Sequence, residues 1–144
     1  MTTEEWRPVV GYEGLYEVSN LGRVQSVDRV DSSGKRRRSR MLKLIPDKDG
    51  YSKVSLSRSS KVKQVNLQRL VALHFIPNPD DLPEVDHINC DRADNRAENL
   101  QWVTRSDNRR FSWSRGNRVV DMAHMAKMQQ SRHAHYQHCQ QVMA

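Results

Sequence analysis

The chain has 144 residues, a formal charge of +7 and 36% hydrophobic residues, with a pI of about 9.8. That length allows one domain with a small core, or two modules sharing one, and the basic balance favours a polyanionic partner. The distant cysteines Cys90 and Cys139 exclude a disulfide framework and a Cys-x-x-Cys zinc knuckle. The first residues carry no signal-peptide pattern, and the longest aliphatic run, Leu70-Val71-Ala72-Leu73, is too short to span a bilayer. No membrane partner is expected, and the expected location is a reducing cytoplasm.

Residues 5–27 read as short strands around tight turns. Trp6, Val9 and Val10 lead into Gly11-Tyr12-Glu13-Gly14. Leu15-Tyr16-Glu17-Val18 alternates, Ser19-Asn20-Leu21-Gly22 is a turn signal, and Arg23-Val24-Gln25-Ser26-Val27 alternates back, as in an antiparallel hairpin. The run from Glu5 to Val24, with its Gly-Tyr-Glu-Gly-Leu-Tyr-Glu-Val-Ser-Asn-Leu-Gly-Arg-Val core, resembles the NUMOD-type module found ahead of phage HNH endonucleases. The resemblance implies a small sheet that contacts DNA away from the cut, with Asn20, Arg23 and Gln25 as its contacts.

Residues 28–43 hold a basic cluster: Arg29, Lys35, Arg36, Arg37, Arg38, Arg40 and Lys43. A loop this charged repels itself in isolation and gains by lying along phosphates, so Arg36, Arg37, Arg38 and Arg40 are candidate DNA contacts. Residues 41–45 read as one strand, Pro46-Asp47-Lys48-Asp49-Gly50 as a turn, residues 51–56 and 62–65 as paired strands. Asn66 can cap a helix whose apolar face is Leu67, Leu70, Val71, Ala72 and Phe75, with Val65 and Leu70 as a hydrophobic staple. Pro77 and Pro79 end it. His74 within the helix reads as structural or exposed.

Glu84-Val85-Asp86-His87-Ile88 reads as a strand ending in adjacent Asp and His, residues 89–98 as a polar loop, and Leu100-Gln101-Trp102-Val103 as a second strand. Thr104-Arg105-Ser106-Asp107 is a capping box in its Asp form, so a helix starts there. If the strands pair, His87 and Asn99 can face each other, and Asn108 would sit over Asp86. Hydrolysis of a phosphodiester needs a base for the water, a cation on the phosphate and help for the leaving oxygen. His87 suits the base, Asp86 and Asn108 offer oxygen to a hard cation, and Asn99 could accept the other ring N–H of His87. Two ligands are enough for Mg²⁺ or Mn²⁺ completed by water and phosphate, and zinc is not expected.

Asp86-His87, the Asp94-Asn95-Arg96 loop, Asn99-Leu100, Trp102-Val103-Thr104 and Asn108 strongly resemble the HNH motif, the ββα-metal unit of phage homing endonucleases. The resemblance implies Asp86 and Asn108 as metal ligands, His87 as general base and Asn99 as its orienter. Asn108 stands where many members have a final His, which points to the Asn-ending subgroup. Arg96 could touch a phosphate, and Arg105 and Arg109 could follow the DNA backbone.

The expected architecture is α+β. Residues 1–80 form a small antiparallel sheet with one helix, 81–115 the ββα-metal nuclease unit, and 116–144 a helical tail. In the tail His133, His135 and His138 read as solvated. The expected activity is metal-dependent cleavage of double-stranded DNA to 5′-phosphate and 3′-hydroxyl ends, by nicking, in a phage or prophage setting. The alternative is a weak or inactive nuclease that only binds DNA, in phage regulation or packaging. The sequence leaves monomer and homodimer open.

Overall fold

The computed structural model describes residues 2–116. Strand β1 (Trp6–Pro8) pairs with β2 (Tyr16–Ser19), and β2 with β3 (Val24–Ser26), all antiparallel, with Val18 opposite both Arg7 and Val24. Tyr16 and Val18 alternate inward and are buried, as the period of a strand requires. The turn into β3 is closed by Ser19, whose Oγ accepts from the N–H of Leu21 and of Arg23 at 3.3 and 3.2 Å.

The basic cluster is folded. Strands β4 (Arg29–Val30) and β5 (Arg36–Arg37) pair as a hairpin, and Asp31 Oδ1 ties its tip by accepting from the N–H of Ser33 and Lys35, each at 3.0 Å. Strand β6 (Arg40–Met41) then docks on β3, giving the sheet order β1-β2-β3-β6. The strand expected over residues 41–45 is therefore two pieces in two sheets. Leu42 turns into the core between them, and Pro46, which has no N–H to give, sits in β7 (Ile45–Pro46) at the edge of a second sheet.

That second sheet has the order β7-β8-β9, with β8 (Ser52–Arg58) and β9 (Lys61–Asn66) joined by Ser59 and Ser60. Both serines have positive φ, 51° and 63°, the condition for a two-residue hairpin turn matched to strand twist. Helix α1 (Leu67–Phe75) follows directly. Asn66 stands at its N-cap but its side chain makes no capping bond; burial of Leu67, Leu70 and Val71 sets the start instead. His74 is structural, as expected: its Nε2 accepts from the N–H of Val10 at 3.0 Å and its Nδ1 donates to Leu70 O at 2.7 Å.

The last elements are β10 (Glu84–His87), a 3-10 turn (Ala97–Asn99), β11 (Leu100–Val103) and α2 (Arg105–Gly116). Helix α1 is the hub, touching β2, β8, β9, β10 and β11. One core joins Val9 just after β1, Val18 and Val24 of the first sheet, Val54 and Leu56 of the second, Leu67 and Val71 of α1, and Leu100 of the final hairpin. Stretches 1–80 and 81–115 thus share a core. Trp102 fastens the hairpin, donating from Nε1 to Ile76 O at 3.1 Å with the Arg69 guanidinium stacked 5.6 Å from its ring. No described helix is long and apolar enough to cross a membrane. The helical tail expected over 116–144 lies, beyond Gly116, outside the described residues.

Candidate active site

Strands β10 and β11 pair antiparallel, with Asp86 opposite Gln101 and His87 opposite Leu100. Alternation sends Glu84 and Asp86 to one face of β10 and His87 to the other. On the first face Gln101 Nε2 donates to Asp86 Oδ2 at 3.1 Å. Helix α2 lies against β10, and Asn108 Nδ2 donates to Glu84 Oε2, while Arg105 Nε lies 4.0 Å from Glu84 Oε1. The helix starts as expected: Thr104 Oγ accepts from Asp107 N–H at 3.1 Å and donates to its carboxylate at 2.9 Å. This places Asn108 one turn in, on the side of β10.

On the second face His87 Nε2 lies 3.0 Å from Asn95 Oδ1, and the Tyr51 ring is 5.9 Å away between centroids. Arg92 stacks on Tyr51 at 4.7 Å and donates to Asp49 O at 2.5 Å. Asp86 and His87 are each only 3% exposed, so both rely on protein partners to hold them.

Two expected contacts differ. The orienter of His87 is Asn95, not Asn99. Ile88 N–H donates to Asn99 O at 2.8 Å, so Asn99 lies one position past the residue opposite His87, and a one-residue step turns a side chain to the other face. Asn99 instead holds the loop: its Oδ1 accepts from Asn89 N–H at 3.0 Å, and its Nδ2 donates to Asn89 Oδ1 and Asp94 O at 2.9 and 2.8 Å. Likewise, the amide of Asn108 engages Glu84, two residues before Asp86. Glu84, Asn95 and Gln101 were therefore missed as site residues. The strand period would have paired Glu84 with Asp86, and the register would have set Gln101 opposite Asp86.

The other candidates lie apart. Asn20 holds the N-terminal segment, with Oδ1 accepting from Glu5 N–H at 2.8 Å and Nδ2 donating to Thr3 O at 3.0 Å. Arg23 is paired with Glu4, which holds that carboxyl below its ordinary value. Gln25 Nε2 donates to Glu17 at 3.0 Å. Arg36 pairs with Asp28 at 3.1 Å and Arg37 with Asp31 at 2.9 Å; Arg38, Arg40, Arg105 and Arg109 are exposed. Arg96 forms a fork with Asp94, at 2.8 Å from each oxygen, and reaches Glu98 at 2.6 Å.

Among the described residues no group of three or more His, Cys, Asp or Glu could hold a metal ion. The donors near Asp86 are carboxylate and carboxamide oxygens, which suit a hard cation that keeps water and phosphate as its remaining ligands. With its Nδ2 given to Glu84, Asn108 keeps Oδ1 as the atom it could offer a cation. A cleft of about 300 Å³ opens beside Glu84 and Asn108, walled by Tyr51, Gln68 and Arg69. Gln68 Oε1 is buried there with no hydrogen-bond partner among the described residues.

Residues 4–57 match the NUMOD4 motif and 65–110 the HNH endonuclease family. A solved structure of the HNH homing endonuclease I-HmuI, concerned with DNA binding and cleavage, superposes with a TM-score of 0.64 at 38% identity, over 88% of this chain and 68% of that one. The chain belongs to the HNH endonuclease family. In sequence, the DNA endonuclease I-HmuI of Bacillus phage SP01 is 39% identical over 119 residues, 83% of this chain and 63% of the phage protein. An uncharacterised HNH endonuclease of Acanthamoeba polyphaga mimivirus is 39% identical over 113 residues, 74% of this chain and 25% of its own length. The chain thus spans less than two thirds of the curated relatives it matches. The HNH match begins just before α1 and ends two residues past Asn108, so it takes in every residue of the β10–β11–α2 site.

Proposed function

We propose that this HNH protein is a divalent-metal-dependent DNA endonuclease that cuts one strand per event, leaving 5′-phosphate and 3′-hydroxyl ends. The observation that carries the reading is the pair Asp86-His87 at the end of β10, with Asn95 on the imidazole, Gln101 on the carboxylate and Asn108 brought alongside by α2.

His87 is the general base. The Asn95 oxygen beside Nε2 calls for the proton to sit on that nitrogen, so the neutral ring keeps its lone pair on Nδ1, where a water's proton can go. Burial fixes the ring plane, so little is lost to reorientation when the water is activated. Asp86 and Asn108 would hold one Mg²⁺ or Mn²⁺, which when bound supplies positive charge to the scissile phosphate. Gln101 fixes the Asp86 carboxylate, and Glu84 fixes the Asn108 amide. Double-stranded DNA is the substrate, and exposed Arg38, Arg40, Arg105 and Arg109 give it a cationic bed.

Supercoiled plasmid containing a cognate site tests this. With Mg²⁺ or Mn²⁺ the wild type produces open circles, EDTA stops it, and His87→Ala is slower by about 10²- to 10⁴-fold. Binding on gels without cleavage by the wild type would make the chain a DNA-binding protein instead. Linear product without a nicked intermediate would point to paired subunits.

A further inference from the structure

The NUMOD4 stretch and the HNH stretch meet at one tight point. Gly22, at φ +79°, lies so close to the active-site loop that a Cβ there would fall 2.9 Å from Asn95 O, 3.0 Å from its carbonyl carbon and 3.1 Å from its Cβ. Carbon does not approach a backbone carbonyl that closely without something moving. Gly14 makes the contrast: it has the same kind of backbone, φ +76°, but nothing within 4 Å of a Cβ. Gly14 serves only its turn, whereas Gly22 serves its turn and its neighbour.

The residue pressed by Gly22 is the one that holds the imidazole. Asn95 is 4% exposed, its Oδ1 lies 3.0 Å from His87 Nε2 and its Nδ2 donates to Ala93 O at 3.3 Å. The same module grips the loop further along, where Ala97 N–H donates to Asn20 O at 2.8 Å, and just ahead of the module Thr2 Oγ donates to Glu98 at 3.0 Å.

We propose, resting on the nuclease reading above, that the turn Asn20-Leu21-Gly22 is a positioning element for the general base, acting through the backbone of Asn95. The N-terminal module then has a part in the rate of cleavage that is separate from any grip on DNA. If Asn95 moves by a few tenths of an ångström its oxygen leaves the line of the imidazole N–H, the ring tilts, and the chemical step slows while the DNA-facing surface is unchanged.

The experiment compares full-length Gly22→Ala and Gly14→Ala in plasmid cleavage, with DNA affinity measured alongside. Both variants put a side chain at positive φ, so both carry that strain. The expected result is kcat down by about 10- to 100-fold in Gly22→Ala, with affinity unchanged and Gly14→Ala close to wild type. Asn95→Ala should match Gly22→Ala, and Asn95→Asp, which keeps the acceptor oxygen, should recover part of the rate. Should Gly22→Ala fail to fold, Ala97→Pro takes its place. Residue 97 is the first of its 3-10 turn, where the φ of proline is tolerated; the ring replaces the N–H given to Asn20 and pushes that carbonyl away, so this change breaks the contact between turn and loop and should also lower kcat alone. Equal losses in the two glycine variants would overturn the proposal. So would a loss confined to DNA affinity, or an Ala97→Pro protein with wild-type kcat. A wild type that cleaves no DNA would instead sink the nuclease reading, before any variant is compared.

Discussion

Asp94 shows how much of the active-site loop rests on single side chains. Its carboxylate takes both arms of the Arg96 fork and a third bond from Asn89 Nδ2 at 3.0 Å. The Arg96 guanidinium is the main cause that holds the Asp94 carboxyl below its ordinary value of 3.8, and Asp94 in turn raises Arg96. A carboxyl whose pKa falls on folding adds stability that is complete above its unfolded pKa and is lost as pH falls through the folded one. Asp94 therefore supports the loop at neutral pH, and that support begins to be lost as pH falls below about 4. Asp94→Asn should lower the melting temperature at pH 7 and flatten its fall between pH 5 and pH 3, as followed by circular dichroism. An acid limb parallel to the wild type would show that Asp94 makes no such contribution. The same pairing bears on Arg96 itself, whose charge is already answered within the loop by Asp94 and Glu98.

Helix α2 illustrates what an element contributes to a site that it enters by one residue. Its start is fixed by the reciprocal Thr104–Asp107 bonds, and the start decides whether residue 108 faces β10. Thr104→Ala should cost about 1 kcal/mol, read as a lower melting temperature, and should raise the metal concentration for half-maximal cleavage. A melting shift with no change in metal demand would separate the cap from the site. This start was legible in the sequence, because a capping box is a local pattern. So were the strands around Val18, Val24, Val54 and Leu56, whose alternation is local too. What was not legible depends on register. Nothing local says that Leu100 rather than Asn99 stands opposite His87, since the 3-10 turn sets the offset. The pairing of Arg36 with Asp28 and Arg37 with Asp31 likewise exists only once the β4–β5 hairpin has brought its strands into line. The break between β6 and β7 came from a core elsewhere in the chain claiming Leu42.

Across the whole molecule, charge and core divide the labour. Five of the eight arginines put forward as DNA contacts are paired with acids of this chain, while Arg38 and Arg40 are exposed.

 Removing Arg38 or Arg40 should therefore weaken DNA binding alike on all sequences and reduce the slope of log K against log salt by about 1 for each residue. Arg23→Ala should instead act through the lost pair with Glu4, as a lower melting temperature with the slope kept. An unchanged slope in both the Arg38 and the Arg40 variants, measured by titration at several salt concentrations, would place the DNA elsewhere on the surface. The core holds these surfaces to one another, because Val18, Leu56, Val71 and Leu100 belong to a single cluster.

The close approach of Gly22 to Asn95 also bears on descent. Two stretches that are recognised separately, 4–57 and 65–110, look like parts that recombination could trade between genes. Here the seam between them runs through the interior rather than along a linker. An exchanged front half must bring a turn that leaves room for the other half's asparagine, or the hybrid inherits a misfit beside His87. Such parts travel as a fitted pair, and a successful graft has to carry both sides of the joint.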